Sequence, residues 1–249
     1  MKRKLIVDLS WALIWLALVG PAFAQPDAEF AKATQEYSAG DFQAATNSYE
    51  TLVRSGDWSA NLFYDLGNAY FRAGDFGRAI LNYERALALE RHHPEAEANL
   101  RIASDQARAL ELTAGSVERV LRFTGGNELV IAAAIAFWLA TFSLVRLLFA
   151  RRRGAGAIAM SILLLSIFAG AAFANYELEN GAKGKALAIV VANDVEARLA
   201  TADNAHSVLA LPPGSEIRIL STRGEWVYAT LPNNLRGWLP VKSAELVRL

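Results

Sequence analysis

The stretch NLFYDLGNAYFRAGDFGRAILNYERA, residues 61–86, decides the first half of the fold. Phe63, Leu66, Gly67 and Tyr70 fall at i, i+3, i+4 and i+7, the spacing of one helical face. Gly74-Asp75 then turns the chain, and Ala79, Tyr83 and Ala86 resume the helical period. Gly67 and Ala79 are small where two such helices must cross closely. The pattern recurs 34 residues earlier: Gly40-Asp41-Phe42, Ala45 and Tyr49-Glu50 match Gly74-Asp75-Phe76, Ala79 and Tyr83-Glu84. A fixed period of this length marks stacked helical hairpins, none of which buries its apolar face alone.

The period and spacing resemble the tetratricopeptide repeat over about residues 28–112, so residues 25–112 are expected to form an α-helical solenoid. A partial third copy, with Asn99-Leu100 placed 34 residues after Asp65-Leu66, predicts a capping helix over roughly 95–112. The family's closing proline is displaced to Pro94, which leaves the end of the preceding helix open by a turn. The resemblance implies a concave groove for peptides or protein surfaces, and on the second copy its lining falls on Asn61, Tyr64, Asn68, Phe71 and Arg72. Asn68 offers an amide donor and acceptor and Arg72 a guanidinium fork, a pair suited to a peptide backbone or carboxylate. The same residues also fit an ordinary solvated face. His92-His93 read as turn residues, because adjacent side chains at a helix end point apart and no third histidine is near.

Two apolar stretches follow. Residues 129–150 carry one charge, Arg146, and residues 154–174 carry none. At about 1.5 Å per residue each exceeds a hydrocarbon core of roughly 30 Å. Both are apolar on every face, so they predict a two-helix transmembrane hairpin over 128–150 and 154–174. Its short loop is Arg151, Arg152 and Arg153, which the positive-inside rule places in the cytoplasm, with both large flanks on the other side. The N-terminus leads to the same orientation: three basic residues, an apolar core and Ala22-Phe23-Ala24 describe a signal peptide over 1–24, cleaved after Ala24. Both large domains are then expected on the periplasmic side of a bacterial inner membrane. Residues 113–127 contain a short amphipathic juxtamembrane segment. Ser166, Gly170 and Ala174 form a small-residue stripe expected to pack on the first span, with another membrane helix as the alternative.

After a linker over 175–184, short alternating strands separated by Pro212-Pro213-Gly214, Arg223-Gly224 and Pro232-Asn233-Asn234 predict a small all-β barrel over 185–249. The Leu-Pro-Pro-Gly turn, Gly224-Glu225-Trp226 and Gly237-Trp238-Leu239-Pro240 are similar to bacterial SH3-like (SH3b) domains. That resemblance implies a candidate groove of Trp226, Tyr228 and Trp238 for protein or cell-wall peptides. The alternative places both tryptophans in the barrel core.

The composition excludes several chemistries. With 25 basic and 25 acidic residues, no net field recruits nucleic acid. The absence of cysteine removes disulfides, thiol nucleophiles and cysteine-bound metal. No phosphate loop, nucleophile motif or metal spacing is present, so neither an enzyme nor a cofactor is expected. The module order resembles the BatE-like family of Bacteroides-aerotolerance (Bat) operons. The resemblance implies a scaffold working in envelope or oxidative-stress tolerance. Its implied partners are membrane-anchored von Willebrand factor A proteins, other Bat-type components and, indirectly, a MoxR-type ATPase. The alternative is a cell-wall sensor whose SH3b domain binds peptidoglycan stem peptides.

Overall fold

The computed structural model describes residues 24–115, 119, 126–149 and 154–248. The expected leader up to residue 23, most of the juxtamembrane segment and the basic loop at 151–153 lie outside the described residues. Among the described residues, five helices precede the apolar pair: α1 (Ala24–Ser38), α2 (Phe42–Ser55), α3 (Ala60–Ala73), α4 (Phe76–Leu89) and α5 (Pro94–Ala107). Their ends follow from local chemistry. Asp41, Ser59 and Asp75 cap α2, α3 and α4 by accepting from the amides of Ala44, Leu62 and Arg78. Gly74 sits at φ 84°, where a side chain would be strained, and closes α3. Between α3 and α4 the crossing is close, since a methyl group on Gly67 would lie 2.7 Å from the buried ring of Tyr83. Ala45, Ala79 and Tyr49 are buried at the expected repeat positions.

The third helix pair is incomplete. Pro94 starts α5 instead of closing α4, and α5 ends at Ala107, short of the expected residue 112. The reason is that residues 110–112 serve the β domain. Leu110 N–H donates to Ser215 Oγ, Leu112 N–H donates to Glu216 Oε2, and Leu110 C=O accepts from the Glu216 amide.

The two apolar helices are α6 (Gly126–Phe149) and α7 (Ala155–Asn180), each long and apolar enough to cross a membrane. Only 11% of each apolar window is buried, so these are not core helices of a soluble domain. They pack through Ala136, Ala140, Ser161 and Ala174, with Ser143 and Ser161 hydroxyls 2.7 Å apart and Phe137 against Phe168. The expected stripe is split: Ala174 is buried, while Ser166 and Gly170 face away from α6. Contacts recurring every three to four residues choose the face bearing Ser161, Leu164 and Phe168. Helix α7 also runs six residues past the expected end, through most of the expected linker.

Seven strands follow: β1 (Leu187–Val190), β2 (Val195–Arg198), β3 (Ser207–Leu211), β4 (Glu216–Arg223), β5 (Trp226–Thr230), β6 (Arg236–Pro240) and β7 (Ala244–Leu246). They form one antiparallel sheet in the order β3-β2-β6-β5-β4-β1-β7. The sheet is not closed, because β3 and β7 are unpaired ends, so the expected barrel is open along that seam. The β7 end is occupied by the repeats: Arg85 reaches the Leu246 carbonyl at 3.1 Å and the Glu245 carboxylate at 3.3 Å.

Strand β1 shows why the two domains are not independent modules. All four of its residues are buried. Ala188 and Val190 face the interior of the sheet with Ile217, Ala229 and Leu239. Leu187 and Ile189 instead join a core with Tyr49, Leu66, Ile80 and Tyr83 of the repeats. The closeness is backbone-deep. A methyl group on Gly77 would stand 3.1 Å from the Val191 backbone, and one on Gly214 would collide with Ile80.

Candidate functional site

The expected groove residues lie on one face of α3, and the structure adds Asp65 to them. Asn61, Asp65, Asn68 and Arg72 recur at helical intervals. Asn61 and Arg72 are exposed, whereas Tyr64, Asp65, Asn68 and Phe71 are half-buried. The Asn68 carboxamide oxygen accepts from Tyr83 Oη and from Asn99 Nδ2, both at 2.8 Å. That leaves its amide nitrogen without a hydrogen bond among the described residues. Tyr64 stacks 4.9 Å from the His93 ring and lies beside Tyr83, and Phe71 meets Phe76 edge-on. The Arg72 guanidinium sits 4.5 Å over the Phe42 ring with no carboxylate partner among the described residues. The face is therefore held rigid by side chains from α2, α4 and α5 while presenting a free amide and a cation.

Partial burial pushes the Asp65 carboxyl up to about 6, a rise that nearby His93 moderates. The 34-residue register marks Asp65 and Asn99 as equivalent positions, and it does not announce that Asn99 donates to Asn68. His93 acts as a turn residue, its Nδ1 accepting from the Ala96 amide to cap α5.

The second face lies on β5 and β6. Trp226, Tyr228 and Thr230 alternate with buried Val227 and Ala229, and Trp238 alternates with buried Gly237 and Leu239. Tyr228 and Trp238 are paired across the strands with ring centroids 5.0 Å apart. The tryptophans are consequently half-exposed on the outer face of the sheet, and the reading that buries them in the core is corrected. Small Ala229 and Gly237 fill the interior, where Gly237 leaves only 3.0 Å between a methyl group and Ala197.

A third constellation was missed in the sequence. Lys183 Nζ lies 2.9 Å from Glu84 and 2.7 Å from Glu216, with the three side chains 27%, 8% and 5% exposed. Burial alone disfavours the ammonium, but the two carboxylates more than offset it and raise the Lys183 pKa. Burial likewise raises Glu216, against the pull of Lys183. The trio joins α4, the segment after α7 and the start of β4. No local motif announces it, since Glu84 and Lys183 lie 99 residues apart.

A family model of the tetratricopeptide repeat matches residues 60–93, the α3–α4 hairpin and the turn after it. None of the curated proteins matches the chain. The chain thus carries a tetratricopeptide repeat, two long apolar helices and an open antiparallel β-sheet domain, and the repeat is of a type that serves protein–protein interaction.

Proposed function

We propose that this protein is a non-enzymatic membrane scaffold that binds a protein partner through the α3 groove. The observation that carries the reading is the α3 face itself. It combines an exposed guanidinium fixed on Phe42, a spare Asn68 amide and flanking aromatics, the makeup of an interface hot spot. The module order and the Arg151, Arg152 and Arg153 loop support a Bat-type scaffold in the bacterial inner membrane with both domains in the periplasm. Its partners in that reading are von Willebrand factor A proteins.

The half-exposed Tyr228 and Trp238 pair favours one alternative, peptidoglycan stem-peptide binding through the aromatic sheet face. A paired measurement separates the two. Arg72→Ala should weaken partner recovery from solubilised membranes by about 1–3 kcal/mol with thermal unfolding nearly unchanged. Intact recovery with Arg72→Ala, together with loss of sacculus binding in Trp238→Ala, would replace the scaffold by the cell-wall reading.

A further inference from the structure

Asp65 is half-buried on the α3 face, yet no hydrogen bond or ion pair reaches its carboxylate among the described residues. Burial is the larger influence on it, and His93, whose Nδ1 accepts from the Ala96 amide, offsets only part of that cost. Other carboxylates of the repeats are matched. Glu36 takes the Ser48 hydroxyl, Glu50 meets Arg54 and Tyr70, Asp75 holds Arg78, and Glu84 holds Lys183. A half-buried carboxylate without a donor weakens the fold that carries it, and a cation from another molecule removes that cost.

Seven residues further along the same face, Arg72 presents the opposite charge. Its guanidinium is exposed over the Phe42 ring, and no carboxylate pairs with it among the described residues. Between the two stands Asn68, whose oxygen is taken by Tyr83 and Asn99 and whose amide is spare. The face therefore presents an acid, an amide donor and a cation along one line. At about 1.5 Å per residue, Asp65 and Arg72 lie roughly 10 Å apart along the helix axis. An extended polyproline-type chain rises about 3.1 Å per residue and returns every third side chain to the same side, so two such residues span roughly 9 Å. A purely acidic segment would satisfy Arg72 and repel Asp65. A purely basic one would do the reverse.

We propose that the α3 groove takes an extended peptide segment carrying a Lys or Arg and, three residues away, an Asp or Glu. The basic side chain meets Asp65, the acidic one meets Arg72, and a backbone carbonyl between them accepts from the Asn68 amide. This rests on the groove being the partner site and adds the charge order that the partner must carry.

The test uses the full chain in detergent micelles at low salt, with fluorescein-labelled peptides on a Pro-Ala background read by anisotropy. The peptides carry Lys and Glu three residues apart in each order, the same pair adjacent, Lys alone, or Glu alone. One order of the spaced pair should bind about tenfold more tightly than the adjacent pair or either single charge. Asp65→Asn should abolish the preference for Lys and keep that for Glu, and Arg72→Gln should do the converse. The double reversal Asp65→Arg, Arg72→Asp should prefer the opposite order, which a merely structural role would not produce. Asp65→Asn should also unfold at no lower urea concentration than the parent at neutral pH, so that lost binding is not lost structure. Equal binding of the spaced pair and the Glu-only peptide overturns the charge order, as does a double reversal that keeps the parent's preference. If no peptide binds the parent while Arg72→Ala still weakens partner recovery from solubilised membranes, the charge order is wrong and the groove reading stands. If neither responds, both fall.

Discussion

Helices α3 and α4 are each 14 residues long, amphipathic, capped by one side chain and packed on one another, yet their outer faces meet different fates. The outer face of α3 carries Asn61, Asp65, Asn68 and Arg72 and remains open. In α4, every residue from Ala79 to Ala86 is buried, including Asn82, Glu84 and Arg85, which a repeat standing alone would present to water. The difference teaches where the partner surfaces are. Of those α4 residues, Glu84 meets Lys183 from the segment after α7 and Arg85 meets β7, whereas Asn82 donates to the Arg78 carbonyl of its own helix. The same kind of residue left on α3 is available to another molecule.

The largest test of that contrast is Lys183. Lys183→Ala strands two buried carboxylates at the junction and should destabilise the folded unit by about 3–5 kcal/mol in urea unfolding. Replacing all three charges together, with Lys183→Met, Glu84→Gln and Glu216→Gln, should recover most of that loss, because the uncompensated charge is gone. If the single variant unfolds like the parent, the junction does not depend on this trio.

Gly67→Leu probes the seam between the two helices. Its side chain would enter the space of the buried Tyr83 ring, so a loss of roughly 2–3 kcal/mol is expected, with the tyrosine's contact to Asn68 disturbed as well. Equal urea midpoints would show that the crossing is looser than the 2.7 Å approach implies.

A smaller effect distinguishes the open face by its pH response. The Asp65 carboxyl titrates near 3.8 in an unfolded chain and near about 6 in the folded one. Between these values the folded state holds more protons, so Asp65 favours folding at low pH and its contribution is lost as the pH rises through about 6. Urea midpoints measured on either side of that window should show a decline that Asp65→Asn abolishes. A decline that persists in the variant would assign it to another group.

The smallest stability change belongs to the sheet's outer face. Trp226→Ala removes a half-exposed ring and should cost about 1 kcal/mol or less by thermal unfolding, far below the price of a core aromatic. A loss of several kcal/mol would return Trp226 to the core.

What the amino-acid sequence determined by itself is the set of local elements. The 34-residue period placed the repeat helices, because Gly67, Gly74 and Ala79 permit one crossing and one turn. Unbroken apolarity defined the two long helices, and short strand-like stretches between turn residues marked the β domain, since burial on one face writes a period into the chain. Tertiary structure alone decided the rest. That α5 stops at Ala107, that β1 is buried on both faces and that the sheet stays open beside Arg85 all follow from the repeats docking on the β domain. The contacts responsible, Glu84 with Lys183 and Gly214 with Ile80, join residues far apart in the chain. Such pairs leave no periodic trace, because each residue is locally acceptable on a solvated surface and only the docked partner makes it part of a core.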